Sequence, residues 1–251
     1  MKTPRLQPQA AFTMVEIAIS LAVIGFAMVA IIGVMPRGMN VQRQNREETI
    51  INQDAAVFFS AIRNGTRGMD DLTNYVYEVR RYTQAFNAET NPGVATSASY
   101  TYTNSTTTPF FPITNGFRII GLLSWPKYVA NPGGGFFSNY TVAFVRALSG
   151  PASEKPPQTS TEIKADAFAY RMICENLPLA ASAGNTPHGR QLTNNFSDLR
   201  LTFRWPLSPT GVPGNGRQTF RTQVGGHVLQ TADAGHALYF FEPKTFVQLP
   251  P

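Results

Sequence analysis

The chain has 251 residues, 43% of them hydrophobic and 14% charged, with 21 Lys and Arg against 15 Asp and Glu. That is room for one ordinary soluble domain beside an apolar segment. A single cysteine, Cys174, excludes an intramolecular disulfide, and bases scattered without a dense, aromatic-interleaved run leave nucleic-acid binding weakly supported.

From Phe12 to Met35 runs a stretch of 24 residues in which Glu16 is the only side-chain charge. As a helix rising about 1.5 Å per residue it is roughly 36 Å long, enough to cross the ~30 Å hydrocarbon core of a bilayer. Pro36 and Arg37 end the run. The residues before it carry Lys2 and Arg5 and no acid, which keeps that end cytoplasmic by the positive-inside tendency. A secretory signal would place a small-x-small site after its apolar region. Here the small residues that look like a processing site, Ala10 and Ala11, come before Phe12. A carboxylate this deep in an apolar run is costly in hydrocarbon and is usually paired or functional. The plainer alternative is a Glu16 that snorkels to the headgroups of an ordinary anchor.

The run Ala11-Phe12-Thr13-Met14-Val15-Glu16, with its apolar continuation, resembles the N-terminus of type IV pilins and of the pseudopilins of type II secretion. The likeness covers about residues 5 to 40, with Ala11 standing where that family usually has Gly. It implies a prepilin leader at 1–11 and a cut by a membrane prepilin peptidase between Ala11 and Phe12. The new Phe12 amine would then be methylated and would pair with Glu16 of a neighbouring subunit. Losing Lys2 and Arg5 with the leader lowers the formal charge from +6 to +4. The further partners implied are copies of the chain or homologous pilins, an inner-membrane assembly platform, a cytoplasmic ATPase and membrane lipid. The implied location is the bacterial inner membrane, crossed once, with the head in the periplasm or outside and the processed chain in an envelope filament.

In chain order, residues 12–36 are expected as the transmembrane and assembly helix, and 37–64 as its amphipathic half. Ile51, Ala55, Phe58, Phe59 and Ile62 fall on one stripe of a 3.6-residue period. That stripe begins only near Ile50 and Ile51, so Asn40 to Glu48 reads as an exposed neck. Gly25, Gly33 and Pro36 are weak helix points where a kink or local unwinding is plausible. Gly65 and Gly68 stop the element.

The head, 65–251, follows. Leu72, Tyr75, Val76, Val79 and Phe86 fit a second helix, while Tyr75 to Tyr82 also alternates as a strand; helix is the expectation. Asn91 to Pro112 reads as a long surface excursion or an edge ribbon. Phe117–Trp125 and Tyr140–Leu148 are expected strands joined across Asn131-Pro-Gly-Gly-Gly135. That glycine run is no phosphate loop, since no Lys-Ser/Thr follows it. Gly150 to Thr161 reads as a loop, and Ala165–Cys174 as a third strand. In Asn195–Trp205, Leu199, Leu201, Phe203 and Trp205 face one way and Arg200 and Arg204 the other. A Pro/Gly-rich turn leads to a strand at Gln218–Val224, a strand-turn-strand region similar to the C-terminal parts of minor pseudopilins. Gly235–Phe241 is expected to close the sheet. Helix first and strands after predicts α+β, a long helix packed on an antiparallel sheet.

No enzyme pattern stands out. His188, His227 and His236 are separated by 39 and 9 residues, which is no compact zinc spacing, and no nucleophile elbow or Walker loop occurs. Asp233 and Glu242 stand apart, so the calcium site of some pseudopilins has no acidic counterpart, and no cofactor or small-molecule substrate is expected. Cys174 reads as a small buried hydrophobe. Two function classes remain: a filament subunit, with the large head pointing to a minor or pseudopilin-type component, and a membrane-anchored extracytoplasmic binding domain that does not polymerise.

Overall fold

A computed structural model describes residues 12–65, 69–86, 96–104, 111–132, 134–150, 167–179 and 186–248. The chain divides into two compact units, Met1–Thr49 and Ile50–Pro251. In the first, Phe12 and Thr13 lead into α1 (Met14–Asn64), which extends into the second. The apolar part of α1 is bare: Phe12 is 82% exposed and Phe26 80%. Its mean hydropathy reaches 2.7 over 18 residues, making it long and apolar enough to cross a membrane. The expected weak points at Gly25, Gly33 and Pro36 leave the helix unbroken. Proline inside a helix removes one backbone donor and crowds the preceding turn, and here the bonds on either side carry the helix through. The predicted neck, Asn40 to Glu48, is helical and largely exposed, with Arg43 and Glu47 paired at 2.8 Å one turn apart.

The second unit is α+β. Burial along α1 starts at Ile50, as its periodicity requires, and takes in Ile51, Ala55, Phe58, Ala61 and Ile62. Each of Ile51, Phe58 and Ile62 is fully buried and contributes about 1.5–3 kcal/mol from lost apolar surface. Gly65, at φ +71°, ends the helix in a conformation that side chains resist; Gly68 lies outside the described residues. The helix α2 (Leu72–Tyr75) is one turn long.

The strands that follow are β1 (Val76–Phe86), β2 (Thr96–Thr103), β3 (Tyr128–Ala130), β4 (Phe136–Arg146), β5 (Ala169–Pro178), β6 (Phe196–Leu207) and β7 (Pro213–Gly225). They form one antiparallel sheet in the order β2-β1-β4-β5-β6-β7, with β3 added to the start of β4. Helix α3 (Gly116–Leu123) lies between β2 and β3 in sequence, and α4 (Pro187–Asn195) between β5 and β6. The last strands, β8 (His227–Asp233) and β9 (His236–Glu242), form a separate two-stranded sheet.

Three expectations are corrected. Residues 76–86 are strand, not helix. A bulge between Val76 and Glu78 inserts Tyr77, so Val76 and Val79 both face the core at a spacing that imitates a helical turn. Residues 116–123 are helix, not strand: Asn115 caps α3 by accepting from the Arg118 N–H at 2.9 Å. Ile119, Ile120, Leu122 and Leu123 are all buried, and a short apolar run buried all round has no period to distinguish the two states. Gly121 lets this helix sit against β9, where a Cβ would come within 2.7 Å of the Phe240 ring. Finally, Gly235–Phe241 does not close the main sheet but pairs with β8.

Other expectations agree with the structure. The excursion is an edge ribbon where it is described, β2 pairing with β1; residues 91–95 and 105–110 lie outside the described residues, as do 151–161 of the predicted loop and 165–166 of the third strand. In β6 the core face holds Leu199, Leu201, Phe203 and Trp205. These pack with the α1 stripe, α3 and β9 in one apolar cluster. Cys174 is buried, and its thiol donates to the Leu123 carbonyl at 3.0 Å.

Candidate functional site

The start of α1 carries a capping box. Thr13 Oγ1 accepts from the Glu16 N–H at 3.3 Å, while the Thr13 N–H and hydroxyl both donate to Glu16 Oε2 at 2.8 Å. This is the Thr-x-x-Glu signature of a helix N-terminus, in which two orphan donors are satisfied reciprocally. Both Thr13 donors converge on one oxygen. Among the described residues Glu16 Oε1 accepts no hydrogen bond, so the cap leaves half of the carboxylate open to a second partner. Phe12 is exposed beside it, and Ala11 lies outside the described residues. The sequence carried this signature, and its local role was missed because Glu16 was weighed only against the bilayer.

A second carboxylate sits where α1 meets the sheet. Asp54 is fully buried; its Oδ2 accepts from the Leu148 N–H at 2.9 Å and the Tyr170 hydroxyl at 2.8 Å, and its Oδ1 from the Ser149 hydroxyl. Burial pushes its pKa above the ordinary 3.8, against the pull of those hydrogen bonds. Burial and the adjoining Asp54 charge drive Tyr170 well above the tyrosine range. The signal was a lone acid inside the apolar stripe, between Ile51 and Phe58.

The sheet face turned away from the core carries most of the charge. There Asp198, 3% exposed, is held by Arg200 at 2.8 Å and by Arg221 at 2.6 Å. Burial alone would raise its pKa, but hydrogen bonds from the two guanidinium groups outweigh that and hold it low. Glu78 pairs with Arg80, and Glu175 with Lys127. A row farther along the same face, beyond Thr202 and Thr219, differs. Register places Arg171 of β5 opposite Arg204 of β6, and Arg204 opposite Arg217 of β7. None of these three pairs with a carboxylate among the described residues, and the Arg171 Nε is buried without a hydrogen-bond partner. Like charges directly opposite destabilise a sheet. Arg204→Gln is therefore expected to raise head stability by about 0.2–1 kcal/mol in a urea titration. A loss of stability would contradict the repulsion.

The three histidines are not brought together. His236 stacks on Phe111 at 4.8 Å, His227 contacts the Asn194 carbonyl at 3.3 Å, and His188 lines an open cleft of about 540 Å³ with Leu192, Phe196 and Phe246. Asp233, which stood apart in the sequence, pairs with Arg118 at 2.8 Å. Burial raises the Cys174 thiol far above its normal range. Iodoacetamide is expected to leave it unmodified in the folded chain and to alkylate it in urea, read by intact mass.

No protein-family model matches this chain, and comparison with curated proteins and with solved structures returns no match.

Proposed function

We propose that the chain is a structural subunit of pilin or pseudopilin type. It is cut before Phe12 by a prepilin peptidase, methylated at the new amine, and assembled into a type IV pilus-like or type II secretion filament. The observation that carries this reading is the bare apolar helix opening at Phe12, with Glu16 as the one charge in its membrane-length part. The open Oε1 of Glu16 suits a neighbouring subunit's Phe12 amine, and the α+β head suits the outer layer of such a filament. Before assembly the helix anchors the chain in the inner membrane. Its partners are copies or homologues, an assembly platform and an ATPase, and its mechanism is packing rather than turnover.

N-terminal sequencing and intact mass of the chain recovered from membranes test this directly. A mature chain that starts at methylated Phe12 is the expected result. A chain that retains Met1 would remove the filament reading. The second reading, a tethered head that stays single, is favoured by the capping box, which gives Glu16 a local role with no neighbour involved.

A further inference from the structure

Charge on the described part of the head is unevenly matched. Glu78, Glu175, Asp198 and Asp233 each pair with a base, and Asp54 is enclosed by hydrogen-bond donors. Among the described residues of the head Asp70, Asp71 and Glu242 are exposed and form no ion pair, and Asp70 and Asp71 are the two that stand together. Asp71 stands at the start of α2 yet its carboxylate caps nothing. The turn itself is held by backbone bonds from Leu72 to Met69 and from Asn74 to Asp71, so both side chains leave a fixed frame. Three of the bases without an ion pair stand side by side in the Arg171–Arg204–Arg217 row, at about 4.8 Å between neighbouring strands.

These two groups cannot meet within one chain. Asp70 lies beside α3, where a Cβ on Gly116 would touch its backbone. Helix α3 is bound to the core face of the sheet through Thr141 and Cys174. The arginine row is on the other face. We infer that the row is a docking surface for the Asp70-Asp71 turn of a second copy of this chain. Planar guanidinium forks suit carboxylates in pairs. A contact between two different patches of identical subunits is heterologous: it propagates into an open filament where the rotation between copies does not close, and into a ring where it does. This deepens the filament reading and rests on it for the supply of neighbouring copies. It also explains why the sheet keeps three facing arginines uncompensated while Asp198 compensates Arg200 and Arg221 on the same face.

The test uses the full-length chain in membranes, with one copy carrying Asn74→Cys and another Thr219→Cys. Both sites are exposed, next to the acid turn and the arginine row, and Cys174 is sealed. Oxidation is expected to join the two copies. The yield should fall about tenfold with Arg204→Glu plus Arg217→Glu, or with Asp70→Arg plus Asp71→Arg, and return when the two reversals are combined across copies. It should also fall in high salt, as the Debye length drops from about 10 Å at 0.1 M to about 3 Å at 1 M. Three results would overturn the contact. One is no joined species while assembly persists and depends on Glu16, which leaves the filament reading standing. Another is a yield indifferent to charge reversal. The third is retention of a labelled oligonucleotide that the arginine reversals abolish, without cross-linking. Charge-dependent cross-linking of a chain that still carries residues 1–11 would keep the contact and end the filament reading.

Discussion

Asp54→Ala is expected to lower the stability of the head by about 2–5 kcal/mol, the largest loss from any single polar side chain described. The substitution orphans the Leu148 N–H and the Tyr170 and Ser149 hydroxyls, and a buried donor left unpaired costs about 1–3 kcal/mol. Relief from burying a charge offsets part of this. For a domain of this size 1 kcal/mol moves the melting temperature by about 2–4 °C, so calorimetry or a urea titration resolves the effect easily. A loss under about 1 kcal/mol would mean the carboxylate is not the anchor of α1. Tyr170→Phe removes one of the three bonds and should cost about 1 kcal/mol.

The same carboxylate sets a pH signature. Its folded pKa lies above the ordinary 3.8, so between those values the folded chain holds more protons than the unfolded one. Stability attributable to Asp54 therefore falls as pH rises through that window. Asp198 has the opposite sign. Its depressed folded pKa contributes stability that is complete above the ordinary value and disappears as pH drops through the lower one. In Asp54→Asn the first of these slopes should vanish and the second remain.

Filament incorporation is where the second large effect is expected. Glu16→Ala removes both the cap and the charge, whereas Glu16→Gln keeps a side chain that can close the capping box and loses only the charge. If the carboxylate meets a neighbouring subunit's amine, both variants should reduce incorporation by at least about tenfold, measured by immunoblot of sheared or purified filaments. Incorporation of Glu16→Gln at the normal level, with Glu16→Ala defective, would assign the residue to the helix start alone. Thr13→Ala supplies the converse, since it opens the cap and keeps the charge.

Long-period features were legible in the sequence. The α1 stripe from Ile51 to Ile62 and the alternation of Leu199 to Trp205 each repeat often enough for one period to dominate. What misled was short or locally irregular. The Tyr77 bulge gives a strand the spacing of a helical turn, and α3 is too buried to show a polar face. The pairing of β9 with β8 instead of the main sheet is decided by packing on α3. Site features failed for another reason: Arg171, Arg204 and Arg217 are far apart in sequence and become a row only through the register of three strands. Read along the chain, they looked like a solvated basic surface. The Thr13 and Glu16 cap, by contrast, was written in three residues' spacing and was missed because Glu16 was weighed only against the bilayer.

The bonds from Asp54 fasten α1 to the chain just after β4, at Leu148 and Ser149, and to β5, at Tyr170. A pull on this part of α1 therefore reaches the sheet through one carboxylate together with the flanking Ile51 and Phe58 contacts.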